Sequence, residues 1–387
     1  MVRAVEASLH ICFSCPEYPP APHGGIGSFV QTLGRELVRR GHRVSAIGMY
    51  GYGPHLEGEE NDYGVRVIRV PSRGWPLLRV LPNRFRQRRA FFDLDRQSPI
   101  DVIEGSELAF ARIGRGLPGL KLLRMHGGPA FFGIQDSRQL QAERWSFRIA
   151  DEVCAVSQCV ADGTRRLLGL GDRHIEVIPN PVNVDEFAPA PDHSEEAGLI
   201  VFTGTIIERK GIRQLLQALP EIVAAVPSAH LEVYGGEDNP EPAIPFARVL
   251  NDSLSPEIAG RVAWKGRVSR GALPDALRRA SVCVYPSHIE AMPIGWLEGL
   301  ATGKAVVASK TGPGPEIIDD GVTGLLCDPA DPRSIAEKII RLLKSGEERQ
   351  RLGAAARKMC VERYSLPALV ERNIEYYERL LSRRSPL

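Results

Sequence analysis

No stretch of the sequence approaches the roughly 20 consecutive apolar residues that a membrane-spanning helix needs. The opening residues, MVRAVEASLHICFSC, hold too short an apolar run for a secretory h-region, so a cytoplasmic protein is expected. An excess of one charge is missing as well. With 49 Lys and Arg against 47 Asp and Glu the formal net charge is +2, and no global field points to nucleic acid. Cysteine is sparse: Cys12, Cys15, Cys154, Cys159, Cys283, Cys327 and Cys360 are scattered and odd in number, which suits small buried hydrophobes in a reducing compartment. Cys12 and Cys15 do form a C-x-x-C, but no second Cys/His pair stands at ligand spacing, which argues against a zinc or redox site. Internal repeats and low-complexity tracts are also lacking, and solenoid and linker-like architectures go with them.

What is present is an α/β pattern long enough for two cores. At 387 residues the chain exceeds the roughly 250 to 300 residues at which single cores stop growing. Short apolar runs alternate with helix-period segments along nearly its whole length, the sign of parallel sheets covered by helices. Strands are expected at 8–13, 43–48, 65–70, 101–104, 120–125 and 152–156, then at 199–203, 231–234, 262–264, 282–285 and 305–308. Ile26, Phe29, Val30, Leu33, Leu37 and Val38 are spaced for one face of a helix that Gly41 should stop. The stretch PNPVNVDEFAPAPDHSEEAG lacks apolar periodicity and is the linker candidate. The fold expected is two doubly wound, Rossmann-like domains, 1–185 and 186–365, facing a central cleft. A helical tail, 366–387, has an apolar face that should pack on something.

Several residues stand where such sheets place chemistry. Glu290 and Glu298 are separated by seven residues in EAMPIGWLE, after the strand-like VCVYPS. Pro293 and Gly295 favour a loop that enters a helix with Glu298 about one turn inside, so that the amides around Met292, Pro293 and Ile294 face outward at the positive end of the dipole. Carboxylates accept hydroxyls, and an amide N-terminus accepts phosphate. A ligand with hydroxyls at both ends and phosphates between them, such as a nucleotide sugar, fits that layout. Two solvated glutamates flanking a surface helix are the plain alternative.

Arg209 and Lys210 follow the strand-like Val201–Thr203 and Gly204, and precede Gly211; cations at a strand's C-terminal end can neutralise a leaving diphosphate without a metal. Gly25 and Gly27, in HGGIG between the first strand and helix, would let backbone approach phosphate or sugar closely, but they do not complete G-x-G-x-x-G. His126, followed by two glycines, comes directly after the strand 120–125 and could bind a sugar hydroxyl or polarise the reaction centre. Asp93-Leu94-Asp95 resembles a metal-holding Asp-x-Asp, yet it sits in a helical context with no strand before it to aim both carboxylates. Six arginines between Arg73 and Arg89 are interleaved with Trp75, Leu77, Leu78, Val80, Leu81 and Phe85, a local surface suited to anionic headgroups or an anionic acceptor; a solvated helix face is the alternative.

Taken together, the segments GGIGSFVQTLGRELVRRGHRV, LRMHGG, ADEVCAVS, VIPNPVNVDEF, FTGTIIERKG, EAMPIGWLEGLATGKAVVAS and GPEIIDDGVTGLL resemble those of retaining glycosyltransferases of the GT-B fold, family 4. The resemblance implies transfer of a hexose-type sugar from a nucleotide diphosphate sugar, UDP ahead of GDP, to a glycan, lipid-linked or small-molecule acceptor hydroxyl. It implies no metal and no bound cofactor, and a tail helix that returns to the first domain. By match, Gly25 and Gly27 would face the donor diphosphate, Arg209 and Lys210 would bind it, and Gly204 and Thr205 would stand beside it. Glu290 would contact the transferred sugar, Met292, Pro293 and Ile294 would offer amides, and Glu298 would take the ribose. Val268, in Gly266-Arg267-Val268, would meet the base, and His126 would stand near the anomeric carbon. Where many members have Arg after the glycine, this chain has Gly204-Thr205, which leaves the positive charge to Arg209 and Lys210. Asn180-Pro181-Val182-Asn183 and Ala291-Met292-Pro293-Ile294-Gly295 also depart from the usual pattern. The same donor pocket would serve a nucleotide-sugar epimerase or a binding protein without turnover. Incubation with donor alone separates the epimerase, and release of nucleotide diphosphate separates the binding protein.

Overall fold

A computed structural model describes residues 8–50, 57–73, 80–190, 195–237 and 245–384. The chain forms two compact units, 1–181 with 366–387, and 182–365. The first holds a sheet of β1 (His10–Ser14), β2 (Arg43–Tyr50), β3 (Gly58–Asp62), β4 (Val65–Pro71), β5 (Val102–Gly105), β6 (Leu120–Met125), β7 (Glu152–Ala155) and β8 (Glu176–Val177), in the order β3-β4-β2-β1-β5-β6-β7-β8. The second holds β9 (Leu199–Thr203), β10 (His230–Tyr234), β11 (Val262–Gly266), β12 (Val282–Tyr285), β13 (Val306–Ser309) and β14 (Leu325–Cys327), in the order β11-β10-β9-β12-β13-β14. Every pairing is parallel except β3 with β4.

Most of the expected strands form because their runs are largely apolar, as a sheet covered on both sides requires, while β4 and the edge strand β11 alternate. β9, β12 and β13 are buried at every residue. Leucines and isoleucines of the helices Ile212–Ala225 and Pro332–Lys344 pack on the second sheet to make its core. The first helix runs Gly25–Arg39, and Gly41, at φ +88°, follows its cap.

Three strands were not expected, and one of them, β8, is only two residues long. β3 is GEEND, with no apolar residue, and is mostly exposed. It holds the sheet edge through backbone pairing and through ion pairs of Glu59 with Arg66 and Glu60 with Arg69, so hydrophobic pattern carries no trace of it. β14 is only three residues long.

The division between the units falls within the linker candidate, after Pro181, and the described part beyond it is built into the second unit. Residues 182–190 pack within the second unit: Phe187 is fully buried, Arg278 donates to the carbonyls of Glu186 and Ala188, and Arg357 to that of Val184. Arginines from helices hold this segment by its carbonyls, and that leaves no periodicity to read.

The helix Leu366–Arg384 buries Leu369, Val370, Asn373, Ile374, Tyr376, Tyr377 and Leu380 in the first unit. Tyr377 donates to Glu104 at 2.7 Å and Tyr376 to the carbonyl of Val153 at 3.2 Å.

Candidate active site

The strand order of the second sheet reverses between β9 and β12, and a parallel sheet opens a crevice at the C-terminal ends of the strands flanking such a point. Both segments singled out from the sequence leave the sheet there. After β9 the chain passes Gly204 and Thr205 and enters the short turn Glu208–Lys210; after β12 it reaches Glu290 and then the helix Ile294–Ala301. Gly211 ends the turn at φ +71°, and a Cβ there would overlap the carbonyl oxygen of Pro286, so glycine is what lets the two loops touch. Gly204, at φ +153°, lies against Gly235, whose own added Cβ would overlap the Gly204 carbonyl oxygen.

Lys210 Nζ donates to Glu290 Oε1 at 2.5 Å, and Arg209 Nη1 lies 3.6 Å from Glu290 Oε2 while donating to the Ile289 carbonyl at 3.2 Å. The Arg209 carbonyl accepts the His288 N–H at 2.8 Å. Two cations therefore meet one carboxylate that is only 6% exposed, and the trio carries one more positive than negative charge. Met292 and Pro293 are buried, Ile294 is half-buried, and Pro293 caps the helix. Glu298, the fifth residue of that helix, is buried. Burial, above all, raises its pKa to about 7; Arg270, 3.7 Å away, pulls it down, and Glu186, itself 3.7 Å from Arg270, pushes it up. Val268 follows the edge strand β11 and is half-exposed.

In the first unit the strand order reverses between β1 and β5. His126 follows β6, half-buried, with its ring edge-on to Phe29 at a centroid distance of 5.0 Å. Desolvation, and then the charge of Arg124, lowers its pKa to about 3, so the imidazole is neutral at physiological pH. Gly25 is exposed, with open space where a Cβ would be. Gly27 is buried and a Cβ there would overlap the Glu17 carbonyl oxygen. Its N–H donates to Glu17 Oε1 at 2.7 Å, and that of Gly24 to Oε2 at 3.3 Å. A carboxylate thus occupies the amides of Gly24 and Gly27.

Two family profiles match in succession: "Glycosyltransferase Family 4" over residues 23–186 and "Glycosyl transferases group 1" over 183–359. The chain belongs to glycosyltransferase family 4. Phosphatidyl-myo-inositol mannosyltransferase of Mycolicibacterium smegmatis is 28% identical over 388 residues, covering 96% of this chain and 94% of the relative. Sucrose-phosphate synthase from Thermosynechococcus elongatus superposes with a TM-score of 0.84 at 22% identity, covering 97% and 99% of the two chains. Anabaena HepE in complex with UDP-glucose gives a TM-score of 0.74 at 17% identity, over 96% and 100%. The fold is GT-B, and this family 4 member is a retaining, metal-independent hexosyltransferase that draws its sugar from a nucleotide-sugar donor.

Asp93 pairs with Arg96 and Arg89, and Asp95 accepts the Ile100 N–H at 2.9 Å, within and just past the helix Val80–Gln97. Among the described residues no group of three His, Cys, Asp or Glu could hold a metal ion, and no helix is long and apolar enough to cross a membrane. Cys12 and Cys15 are free, buried thiols, and burial raises both, Cys15 to about 12. Of the Arg73 to Arg89 surface, Trp75, Leu77 and Leu78 and the side chains of Val80 and Leu81 lie outside the described residues. Phe85 is 69% exposed beside Arg88 and Arg89. Three polar residues escaped the sequence reading: Glu17, Arg270 and Glu186. Glu186 stands inside VIPNPVNVDEF, but nothing local marks the contacts of the three, because each meets its partner through the fold and not along one element.

Proposed function

We propose that the donor is a UDP-hexose held in the second unit. Arg209 and Lys210 take its diphosphate beside Gly204 and Thr205, Glu290 takes the transferred sugar, and Glu298 takes the ribose. The amides of Met292 and Ile294 flank Pro293 at the phosphates, and Val268 meets the base. The observation that carries this reading is the meeting of Lys210 and Arg209 on Glu290, because it joins an anion-binding pair to a buried acceptor of hydroxyls at a sheet switch point. UDP is favoured over GDP because a protein of the same fold is in complex with UDP-glucose. The roles of Gly25, Gly27 and His126, at the diphosphate and near the anomeric carbon, rest on the resemblance.

In the reaction, the acceptor oxygen bonds to the anomeric carbon on the face that the diphosphate leaves. The carbon–oxygen bond to phosphate breaks with its electron pair on the phosphate, and that oxygen takes the acceptor's proton. Charge accumulates on the β-phosphate, where Arg209, Lys210 and the helix amides stabilise it without reorganisation. The acceptor is a glycan or a lipid. A relative named for a phosphatidyl-inositol acceptor, together with the exposed Phe85 among arginines, favours a lipid reached by peripheral contact with an anionic membrane surface.

A panel of nucleotide sugars read by thermal shift tests the donor. UDP-hexoses should raise the melting temperature, and acceptance of a GDP- or ADP-sugar alone would overturn the assignment. The ribose role makes a separate demand. With its pKa raised to about 7, Glu298 loses its carboxylate as pH falls through that value, so UDP should bind more weakly at pH 6 than at pH 8, by about tenfold if the charge carries the contact. Glu298→Gln should bind weakly at both pH values. Calorimetry showing wild-type affinity and slope in that variant rules out the contact.

A further inference from the structure

Behind the segment 126–130 lie two carboxyl groups that the reaction above does not use. Glu107 follows β5, at the point where the strand order of the first sheet reverses, and Glu143 comes from the helix Ser137–Ile149. They are 3% and 0% exposed. The backbone N–H groups of His126 and Gly127 favour the ionised form of the Glu107 carboxylate. Glu143 Oε2 accepts that of Ala130 at 2.8 Å. Both groups thus bear on one loop, from its two ends.

Their other oxygens are the unusual feature. Oε1 of Glu107 and Oε1 of Glu143 are buried and have no hydrogen-bond partner among the described residues. Gly128 sits where the two side chains converge: a Cβ there would overlap Glu143 Oε1 and come within 2.8 Å of Glu107 Cγ. A buried carboxylate oxygen without a donor is costly, and the charge of Glu143 adds to the burial that disfavours an ionised Glu107. A single proton between them answers both problems, since the protonated group donates and the ionised one accepts.

We propose that Glu107 and Glu143 share one proton between their Oε1 atoms and, as a pair, hold the His126–Ala130 segment for sugar transfer, which makes them positioning residues. The proposal rests on the reading that His126 stands at the sugar. Burial raises Glu107 to about 8, with the charge of Glu143 adding to it. Burial also raises Glu143, against the Ala130 N–H and the charge of Arg144 on its own helix. Arg144 and the two carboxyls are the charges that bear on the pair, while His126 on the opposite side is neutral. Both acids are raised, so the stabilisation from the shared proton is complete at low pH and is lost as pH rises through about 8.

Infrared difference spectra and turnover test this on the full-length protein, using the nucleotide sugar that gives the largest thermal shift. Wild type minus Glu107→Gln should show the carbonyl stretch of a protonated carboxyl at pH 7, titrating away through about pH 8. Nucleotide diphosphate release should fall with it. Glu143→Ala should lose about tenfold or more in turnover at pH 7, because the loop misplaces the imidazole. Glu143→Gln should recover most of that, since its amide can accept from Ala130 and donate permanently to Glu107, and its alkaline limb should move up by about one pH unit or more. Absence of the protonated band, or an alkaline limb unmoved in Glu143→Gln, overturns the proposal; the Gln variant serves if the Ala variant does not fold. If His126→Ala leaves turnover unchanged while the band persists, the assignment of His126 is at fault and the shared proton stands.

Discussion

Lys210→Ala should lower turnover by about 10² to 10³, the range seen when one group aimed at developing charge is removed. The argument starts from position. Lys210 ends the turn after β9, Gly211 fixes that turn against the loop after β12, and Glu290 holds the ammonium at 2.5 Å. The side chain is ordered before any ligand arrives, so its charge needs no reorganisation when the phosphate oxygen becomes negative. Arg209 is farther from the same carboxylate at 3.6 Å and also held by the Ile289 carbonyl, and its proposed role is to bind the diphosphate in the ground state. The loss is therefore expected mainly in kcat, with the donor Kd changing by less. Removal of the lysine also leaves Glu290 buried with one cation fewer, which alone would repel an anion. Lys210→Met, with a similar stem and no charge, separates packing from charge and should behave like the alanine. A folded Lys210→Ala protein with wild-type kcat would eliminate the role.

Glu104→Ala should cost about 3 to 5 kcal/mol in the first unit, the range for breaking a buried ion pair from one side. Arg124 is completely buried. Its guanidinium donates to Glu104 Oε1 at 2.7 Å and Oε2 at 3.2 Å, and to Asn373 Oδ1 at 2.6 Å; its plane lies over Phe29. Tyr377 adds a third hydrogen bond to the same carboxylate. Without Glu104 a buried cation keeps only neutral acceptors, and the helix Leu366–Arg384 loses the acceptor for its Tyr377 hydroxyl. Hydrogen exchange should accelerate in that helix first. Replacing both charges, Arg124→Met with Glu104→Leu, should be far milder, because no uncompensated charge remains. Equal exchange protection in wild type and Glu104→Ala sinks this account. The network also sits two residues from His126, whose pKa the Arg124 charge helps to depress, so the single variant should let that imidazole protonate at lower pH still.

Most of the scaffold was visible in the chain because it is built of parallel strands buried on both faces. Leu199–Thr203 and Val282–Tyr285 begin and end where their apolar runs do. β3 escaped because backbone pairing and cross-strand charges, not burial, hold it. The order of residues 182–190 escaped for a related reason: distant arginines bind its carbonyls. At the candidate site, Glu290, Glu298, Arg209 and Lys210 were legible as motif residues beside strand ends and glycines. Glu17, Glu107, Glu143, Arg270 and Glu186 were not, since a lone glutamate or arginine is most often solvated.

The periodicity of the chain alone sets the α/β class and the placing of acidic and basic residues after strands, and its combined motifs carry the resemblance to glycosyltransferase family 4. These are properties of local runs, and a run carries its own pattern. Only the tertiary structure brings Lys210 onto Glu290 across 80 residues, lays the final helix on Arg124, and closes two glutamates behind His126. Burial and proximity decide those, because the ionisation of a carboxyl depends on which charges and amides surround it in space, and no stretch of sequence contains that neighbourhood.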